Sequence, residues 1–171
     1  MTVIKHKAQR VAILIDVQNL YHSAKNIYNA RVNFKEVLKS AVAGRQLIRA
    51  MAYVIRTESG EEKTFLEALN KIGIETRIKD LQIFPGGVKK ADWDVGIAMD
   101  AVKLGNSIDA LVLMSGDGDF IPLIDYLHQV FGTQVEVAAF GRSSSQRIKE
   151  AADEFIDLGA EPAKYLMRIK N

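Results

Sequence analysis

The chain has 171 residues, of which 48% are hydrophobic and 26% charged, so we predict one globular domain over residues 1–171. It has no cysteine and no apolar stretch near the ~20 residues that span a bilayer, which excludes disulfides, thiolate metal sites and membrane-spanning helices and predicts a cytoplasmic protein. The net charge of +2 permits a polyanionic partner without requiring one.

Short apolar runs along the chain predict buried β-strands. The first run, residues 11–15, is too short for a helix and suits a strand that is buried on both faces. Similar runs follow at residues 46–55, 108–114 and 135–140. Residues 75–83 alternate more openly between polar and apolar side chains, which favours a strand nearer the edge of the sheet.

The segments between these strands are patterned for helices. We predict helices at about residues 33–42, 61–71, 92–104, 120–130 and 144–152. This alternation implies right-handed crossovers and an α/β fold in which a doubly wound parallel sheet is covered by helices on both faces. The final segment, residues 160–171, suits either a short docking helix or a basic tail.

Aspartates occupy the ends of the predicted strands, where open parallel sheets bind their ligands. Asp16 ends the first strand, and Asp117 and Asp119 follow the strand at residues 108–114. Asp94 lies just after the loop that leaves the preceding strand region. Three distant segments of the chain are therefore predicted to bring acids to one edge of the sheet.

Asp94 is the most informative of these acids because of its helical phase. A rotation of about 100° per residue places it with Ile97, Ala98 and Ala101 on the apolar side of its helix. A carboxylate directed inward is costly unless it is paired or bound to a cation. Asp92 and Asp100 fall on the opposite stripe, with Gly96 and Lys103, where solvent is the ordinary explanation, so we predict Asp100 outside the site.

The predicted acidic cluster suits a hard divalent cation. Crowded carboxylates repel one another and raise each other's pKa values, whereas a cation reverses that balance. Mg²⁺ or Mn²⁺ takes one or two protein carboxylates and leaves positions for phosphate oxygens. We therefore predict Asp16, Asp94, Asp117 and Asp119 as metal ligands in a site suited to phosphodiester hydrolysis.

Each of these acids also has a structural explanation. Asp16 suits the cap of a helix near Asn19, and Asp92 and Asp119 suit caps of the helices that follow them. The pair Asp117 and Gly118 is common in turns. Asn19 suits either a turn or the orientation of a water or phosphate, and Ser115 suits either a local bond or a phosphate contact.

Basic residues near the same predicted edge suit contacts with an RNA backbone, although solvated surface charge is the preferred explanation for any one of them alone. They are Lys89 and Lys90 before the acidic helix, and Arg142, Arg147 and Lys149 after the strand at residues 135–140.

Three motifs resemble the NYN domain, specifically its LabA-like branch: VAILIDVQNLYHSAK, KKADWDVGIAMDAVKLG and LVLMSGDGDFIPLIDYL. The resemblance covers nearly the whole chain and implies a PIN-like, three-layer α/β sandwich related to PIN and FLAP nucleases. It implies metal-dependent RNA cleavage, with Asp16 and Asn19 in the first-strand motif, Asp94 in the central helix, and Asp117 and Asp119 in the SGDxDF motif. Asp100 also matches a recurrent acid of the family, but no counterpart is evident for the glutamate that PIN nucleases carry on an early helix.

Two further function classes remain open. The first is a regulatory module that binds RNA, a nucleotide or a protein partner without turnover; a homodimer is compatible with the sequence, which does not specify one. The second is a phosphatase or phospho-acceptor domain built on Asp16, which is disfavoured because Gln18 interrupts a DxD pattern. The leading hypothesis is a ribonuclease in which Asp16, Asp94 and Asp117 hold the metal, while Asp119 and Asn19 position the attacking water.

Overall fold

The computed structural model describes residues 2–60 and 62–169, without the side chain of Lys90. Its strands are β1 (Arg10–Asp16), β2 (Ala30–Val32), β3 (Gln46–Arg56), β4 (Glu75–Asp80), β5 (Gln82–Ile83), β6 (Lys89–Lys90), β7 (Ala110–Met114), β8 (Gln134–Ala139), β9 (Glu154–Asp157) and β10 (Leu166–Arg168). Its helices are α1 (Val17–Tyr28), α2 (Phe34–Val42), α3 (Glu62–Lys71), α4 (Asp94–Leu104), α5 (Ile121–Tyr126), α6 (Gln146–Ala151) and α7 (Pro162–Tyr165). None of these described helices is long and apolar enough to cross a membrane.

The main sheet has six parallel strands in the order β4-β3-β1-β7-β8-β9. From β1 the chain winds outward to β3 and β4, then crosses back through α4 and winds outward on the other side through β7, β8 and β9. The predicted doubly wound parallel sheet is confirmed. Strand order reverses between β1 and β7, and this is the place where such sheets bind ligands.

Helices cover both faces of this sheet and make a three-layer sandwich. Helices α1, α2 and α3 pack on one face, and α4, α5 and α6 pack on the other. Strand β1 contributes to both layers: Val11, Ile13 and Ile15 face the first, whereas Ala12 and Leu14 face the second. The continuous apolar run in this strand follows from burial on both sides.

The predicted strands and helices agree with the structure except at the following elements. Helix α1 entered the prediction only through Asp16 as the cap of a helix near Asn19; the structure contains this helix, whose buried residues Val17, Leu20 and Ala24 have helical spacing. The predicted strand at residues 75–83 is edge strand β4, which ends at Asp80, followed by a small β5–β6 hairpin. Helix α5 is shorter than predicted and continues as a π-helical turn over Leu127–Phe131.

The carboxyl-terminal segment is docked onto the fold rather than extended from it. After the short helix α7, strand β10 pairs antiparallel with β2. Tyr165 is buried, and its hydroxyl donates to Ser40 Oγ at 3.0 Å. Residues 170–171 of the predicted docking helix or tail lie outside the described residues.

Candidate metal centre

Asp16 lies at the carboxyl end of β1, at the switch point of the sheet, and begins helix α1. Its carboxylate accepts a hydrogen bond from the backbone N–H of Asn19 at 3.3 Å, which caps the helix. It also accepts one from Ser115 Oγ at 2.9 Å. In return, Asn19 Oδ1 accepts the backbone N–H of Gly116 at 3.1 Å. These bonds tie the end of β1 to the loop that leaves β7.

That loop, residues 115–119, is held in a fixed shape by its own polar groups. Asp117 N donates to Ser115 Oγ at 3.3 Å, and Asp119 N donates to Asp117 Oδ1 at 2.9 Å. Gly116 is pressed against Ser144, because a Cβ at this position would overlap the serine side chain. The aspartates of the loop are thus displayed from a rigid turn whose glycine is required by a close approach.

Asp94 is the first residue of α4, and the start of that helix is anchored to the sheet. The indole N–H of the preceding residue, Trp93, donates to Val54 O at 3.1 Å, and Lys79 Nζ lies over the indole ring, 4.4 Å from its centroid. Asp92 accepts the backbone N–H of Asp94 at 3.3 Å. The anchored tryptophan therefore fixes where Asp94 enters the site.

The three carboxylates of Asp94, Asp117 and Asp119 converge, and we call them the acidic trio. Each offers one oxygen, and these oxygens all lie within 4.8 Å of one another. Among the side chains that the structure describes, no lysine, arginine or histidine forms an ion pair with any of them. The trio therefore concentrates negative charge without a described counter-charge.

Burial and neighbouring negative charges raise the pKa values of two carboxylates at this site, Asp94 and Asp16. Burial, together with the charges of Asp117 and Asp92, raises the pKa of Asp94 to about 6. Burial also raises the pKa of Asp16, while its hydrogen bonds from Asn19 and Ser115 act in the opposite direction. A cation bound among these groups would remove the repulsion that holds the proton on Asp94.

The donor set fits Mg²⁺ or Mn²⁺. All the ligand atoms are carboxylate oxygens, which hard divalent ions prefer, and half-exposed Asp117 and exposed Asp119 leave the trio open to solvent on one side. An open side is needed for phosphate oxygens or water to complete the coordination.

The structure brings most of the predicted site residues close together, but they differ in what they contact. Asp94, Asp117 and Asp119 form the trio, and Asp16 lies beside it, close enough for its charge to raise the pKa of Asp94. Asn19 is bonded to the β7 loop. Ser115 is fully buried and bonds to Asp16 and Asp117, which supports its local structural role over a phosphate contact.

The predicted basic contacts differ in their exposure. Lys89 is exposed on the β5–β6 hairpin, and the side chain of Lys90 lies outside the described structure. Arg142 and Arg147 are exposed on either side of Ser144 and Ser145, which pack against Gly116 and Gly118. Lys149 is instead half-buried, and its Nζ donates to Gly141 O at 2.7 Å.

Asp100 requires a correction, because helical phase predicted it on a solvated stripe. It is only 5% exposed and accepts a hydrogen bond from Tyr53 OH at 2.8 Å. It also pairs with Arg77 at 2.9 Å. Strand β3 supplies Tyr53 and the edge strand β4 supplies Arg77, so Asp100 is buried against polar groups although its helical stripe is polar in sequence. Asp100 fastens α4 to the sheet, away from the trio.

The predicted caps also differ in part. Asp117, rather than Asp119, bonds the turn that leads into α5. Asp92 is exposed and bonds to Asp94 N, although Trp93 occupies the cap position of α4. The acids of the trio are therefore not all explained by helix capping.

Known proteins share both the sequence pattern and the fold. The family model of the NYN domain matches residues 10–159. The chain is 25% identical to "Low amplitude and bright protein LabA" of Synechococcus elongatus, with 89% of this chain and 85% of LabA covered. It is 29% identical to a crystallised protein of unknown function from Vibrio parahaemolyticus, with a TM-score of 0.86 over 96% of this chain and 100% of that one.

Proposed function

This chain belongs to the NYN domain family, and on that premise we propose that it is a divalent-metal-dependent ribonuclease that hydrolyses phosphodiester bonds of RNA. The observation that carries the proposal is the acidic trio at the switch point of the sheet, with no ion-pair partner among the described side chains. Families with this fold use such a cluster for nuclease chemistry, which supports the assignment by analogy.

In this proposal Asp94, Asp117 and Asp119 hold Mg²⁺ or Mn²⁺ directly. When bound, the ion supplies activation of the attacking water and neutralisation of charge on the phosphate. Asp94 must lose its proton to act as a ligand, and its pKa of about 6 allows this near neutral pH.

Asp16 and Asn19 act around this ion-binding group. Asp16 adds a fourth negative charge beside the trio, and its two hydrogen bonds fix the direction of its carboxylate. Asn19 holds the β7 loop through Oδ1, and we assign its remaining amide N–H groups to orienting water or a phosphate oxygen. Exposed Lys89, Arg142 and Arg147 bind the RNA backbone.

Cleavage of mixed single-stranded and hairpin RNAs by the purified protein tests the proposal. We expect cleavage with Mg²⁺ or Mn²⁺ and none after chelation. Asp94→Asn and Asp117→Asn should reduce the rate by roughly 100-fold or more, because each removes a ligand charge. Asp125→Asn changes an exposed aspartate on α5 and serves as the matched control.

Three outcomes distinguish the alternatives. Wild-type rates in Asp94→Asn would contradict the assignment of the trio. RNA that is bound tightly but stays intact under every divalent metal would favour the regulatory module. Defined product ends that depend on Asp117 would reject that module and establish hydrolysis.

A further inference from the structure

An apolar groove opens directly beside the acidic trio, between helices α4 and α5. Its volume is about 320 Å³, and Asp94 and Asp119 form part of its lining. The other lining side chains that matter here are Val95, Ala98 and Val102 from α4, and Pro122, Leu123 and Tyr126 from α5. An apolar surface thus adjoins the most negatively charged place in the described structure.

This groove leaves apolar side chains in water. Val95 is 74% exposed and Tyr126 is 45% exposed. The ring of Tyr126 is held edge-on by Phe131, with ring centroids 6.1 Å apart. An aromatic ring that packs against a neighbour on one side and is exposed on the other can stack on a flat ligand.

We propose that this groove is a subsite for one unpaired nucleobase, belonging to a nucleotide next to the phosphate that the metal centre cleaves. The inference rests on the proposed ribonuclease function. Because the trio's Asp94 and Asp119 line the groove, a phosphate at the metal centre delivers the adjoining nucleoside to it. The base is neutral and flat, so it is compatible with an apolar wall beside carboxylates.

The size of the groove favours this occupant over an inserted protein helix, and its charge disfavours an acidic protein segment. A space of about 320 Å³ is at the small end of ligand clefts, which suits a single nucleoside rather than an inserted helix. Anionic protein segments are repelled by Asp94 and Asp119, whereas the nucleotide keeps its negative charge on the phosphate.

The groove also defines the substrate class. A base that lies between α4 and α5 has left any helical stack, so the RNA must be single-stranded at that nucleotide. The apolar walls contact the face of the base and offer few hydrogen bonds to its edge. The subsite therefore selects unpaired RNA with little preference for sequence.

The test compares Tyr126→Ala with Tyr21→Ala. Tyr21 is 49% exposed, but it lies on α1, on the opposite face of the sheet. The substrates are a hexanucleotide RNA, a series in which each nucleotide in turn lacks its base, and the same RNA paired with its complement. Stacking on a tyrosine predicts a KM about tenfold higher for Tyr126→Ala on intact RNA. Tyr126→Phe keeps the ring and should recover the affinity.

The abasic series separates stacking from a general effect. At one position, removal of the base should raise the KM of the wild-type protein and leave that of Tyr126→Ala unchanged, while Tyr21→Ala behaves as wild type. The paired RNA should be resistant to cleavage. Equal effects of Tyr126→Ala on intact and abasic RNA at every position would overturn the subsite while the ribonuclease assignment stands.

Failure of the ribonuclease assignment is detected independently. If the wild-type protein cleaves none of these RNAs, binding of the same labelled hexanucleotides is measured by fluorescence anisotropy. Binding that depends on Tyr126 and on one base sustains the subsite, and binding that does not, or no binding, overturns it. A dimer that Tyr126→Ala dissociates in sedimentation also overturns it, because the groove then belongs to a second copy of the chain.

Discussion

Two groups of carboxylates in this fold have opposite surroundings. Glu136, near the amino end of β8, is fully buried and receives two hydrogen bonds from Arg45, at 2.7 and 3.0 Å. Asp100 is likewise bonded by Tyr53 and Arg77. The acidic trio at the carboxyl ends of the strands has no such cation among the described side chains.

The comparison distinguishes carboxylates whose charge is balanced by donors within the fold from carboxylates whose charge no described side chain balances. A buried charge is tolerated when donors and an opposite charge satisfy it, as they do for Glu136. The negative charge of the trio is left for an external cation to balance, and burial together with the neighbouring carboxylates raises the pKa of Asp94. Substitutions in the two groups should therefore change stability in opposite directions.

The largest expected effect on stability comes from a substitution in the buried pair of Glu136 and Arg45. Glu136→Gln leaves Arg45 buried without its counter-charge, and we expect a loss of about 3 kcal/mol in the free energy of unfolding. Urea denaturation measures it. Glu75→Gln, which removes a partner of Arg49 in an exposed pair, is the control and should cost much less. Equal losses would mean that burial of the pair is not what matters.

Asp100→Ala should have the next largest effect. It leaves the largely buried Tyr53 hydroxyl without its acceptor, which costs about 2 kcal/mol. The midpoint of urea unfolding reports the change, with Asp125→Ala as the exposed control. An unchanged midpoint would show that Asp100 does not stabilise the fold.

The acidic trio, which has no described ion-pair partner, predicts that metal binding depends on pH. A proton on Asp94 competes with the cation, so the affinity for Mn²⁺ should fall about tenfold per pH unit below the pKa of about 6. Calorimetric titration at pH 5, 6 and 7 measures it. Asp94→Asn should flatten this dependence, and identical affinities at pH 5 and pH 7 in the wild type would refute the role of this proton.

The smallest effect concerns stability without metal. Because folding raises the pKa of Asp94, the folded state holds its proton more tightly, and stability falls as pH rises from about 4 to about 6. Asp94→Asn should therefore gain about 1 kcal/mol at pH 7 in a chelator, after allowance for solvent screening. The gain should vanish near pH 4. A loss at pH 7 would show that Asp94 is bonded within the fold after all.

The sequence was sufficient for most of the sheet because its central strands are buried on both faces and read as continuous apolar runs. Residues 11–15 are the clearest case. The three-residue strands β2 and β10 pair with each other from distant parts of the chain, and their short segments carry no local pattern. The start of helix α1 was identified only through its cap, Asp16, although the helix also has apolar residues at helical spacing.

The site was predictable to the extent that it depends on strand ends. The position of Asp16, Asp117 and Asp119 after strands β1 and β7 identified them, and helical phase identified Asp94. The same argument failed for Asp100, because Tyr53 and Arg77 come from strands whose neighbourhood with α4 is set only by the tertiary fold. Helical phase predicts the direction in which a side chain points, but it does not predict which residue that side chain contacts.

The hydrogen bond between Ser115 and Asp16 joins residues 99 positions apart in the chain. A nascent polypeptide that has not yet released β7 from the ribosome exposes Asp16 without Asp117 and Asp119, so it cannot assemble the acidic trio. Whatever chemistry the completed centre performs, it cannot begin before the segment that contains Asp119 has been synthesised and has folded.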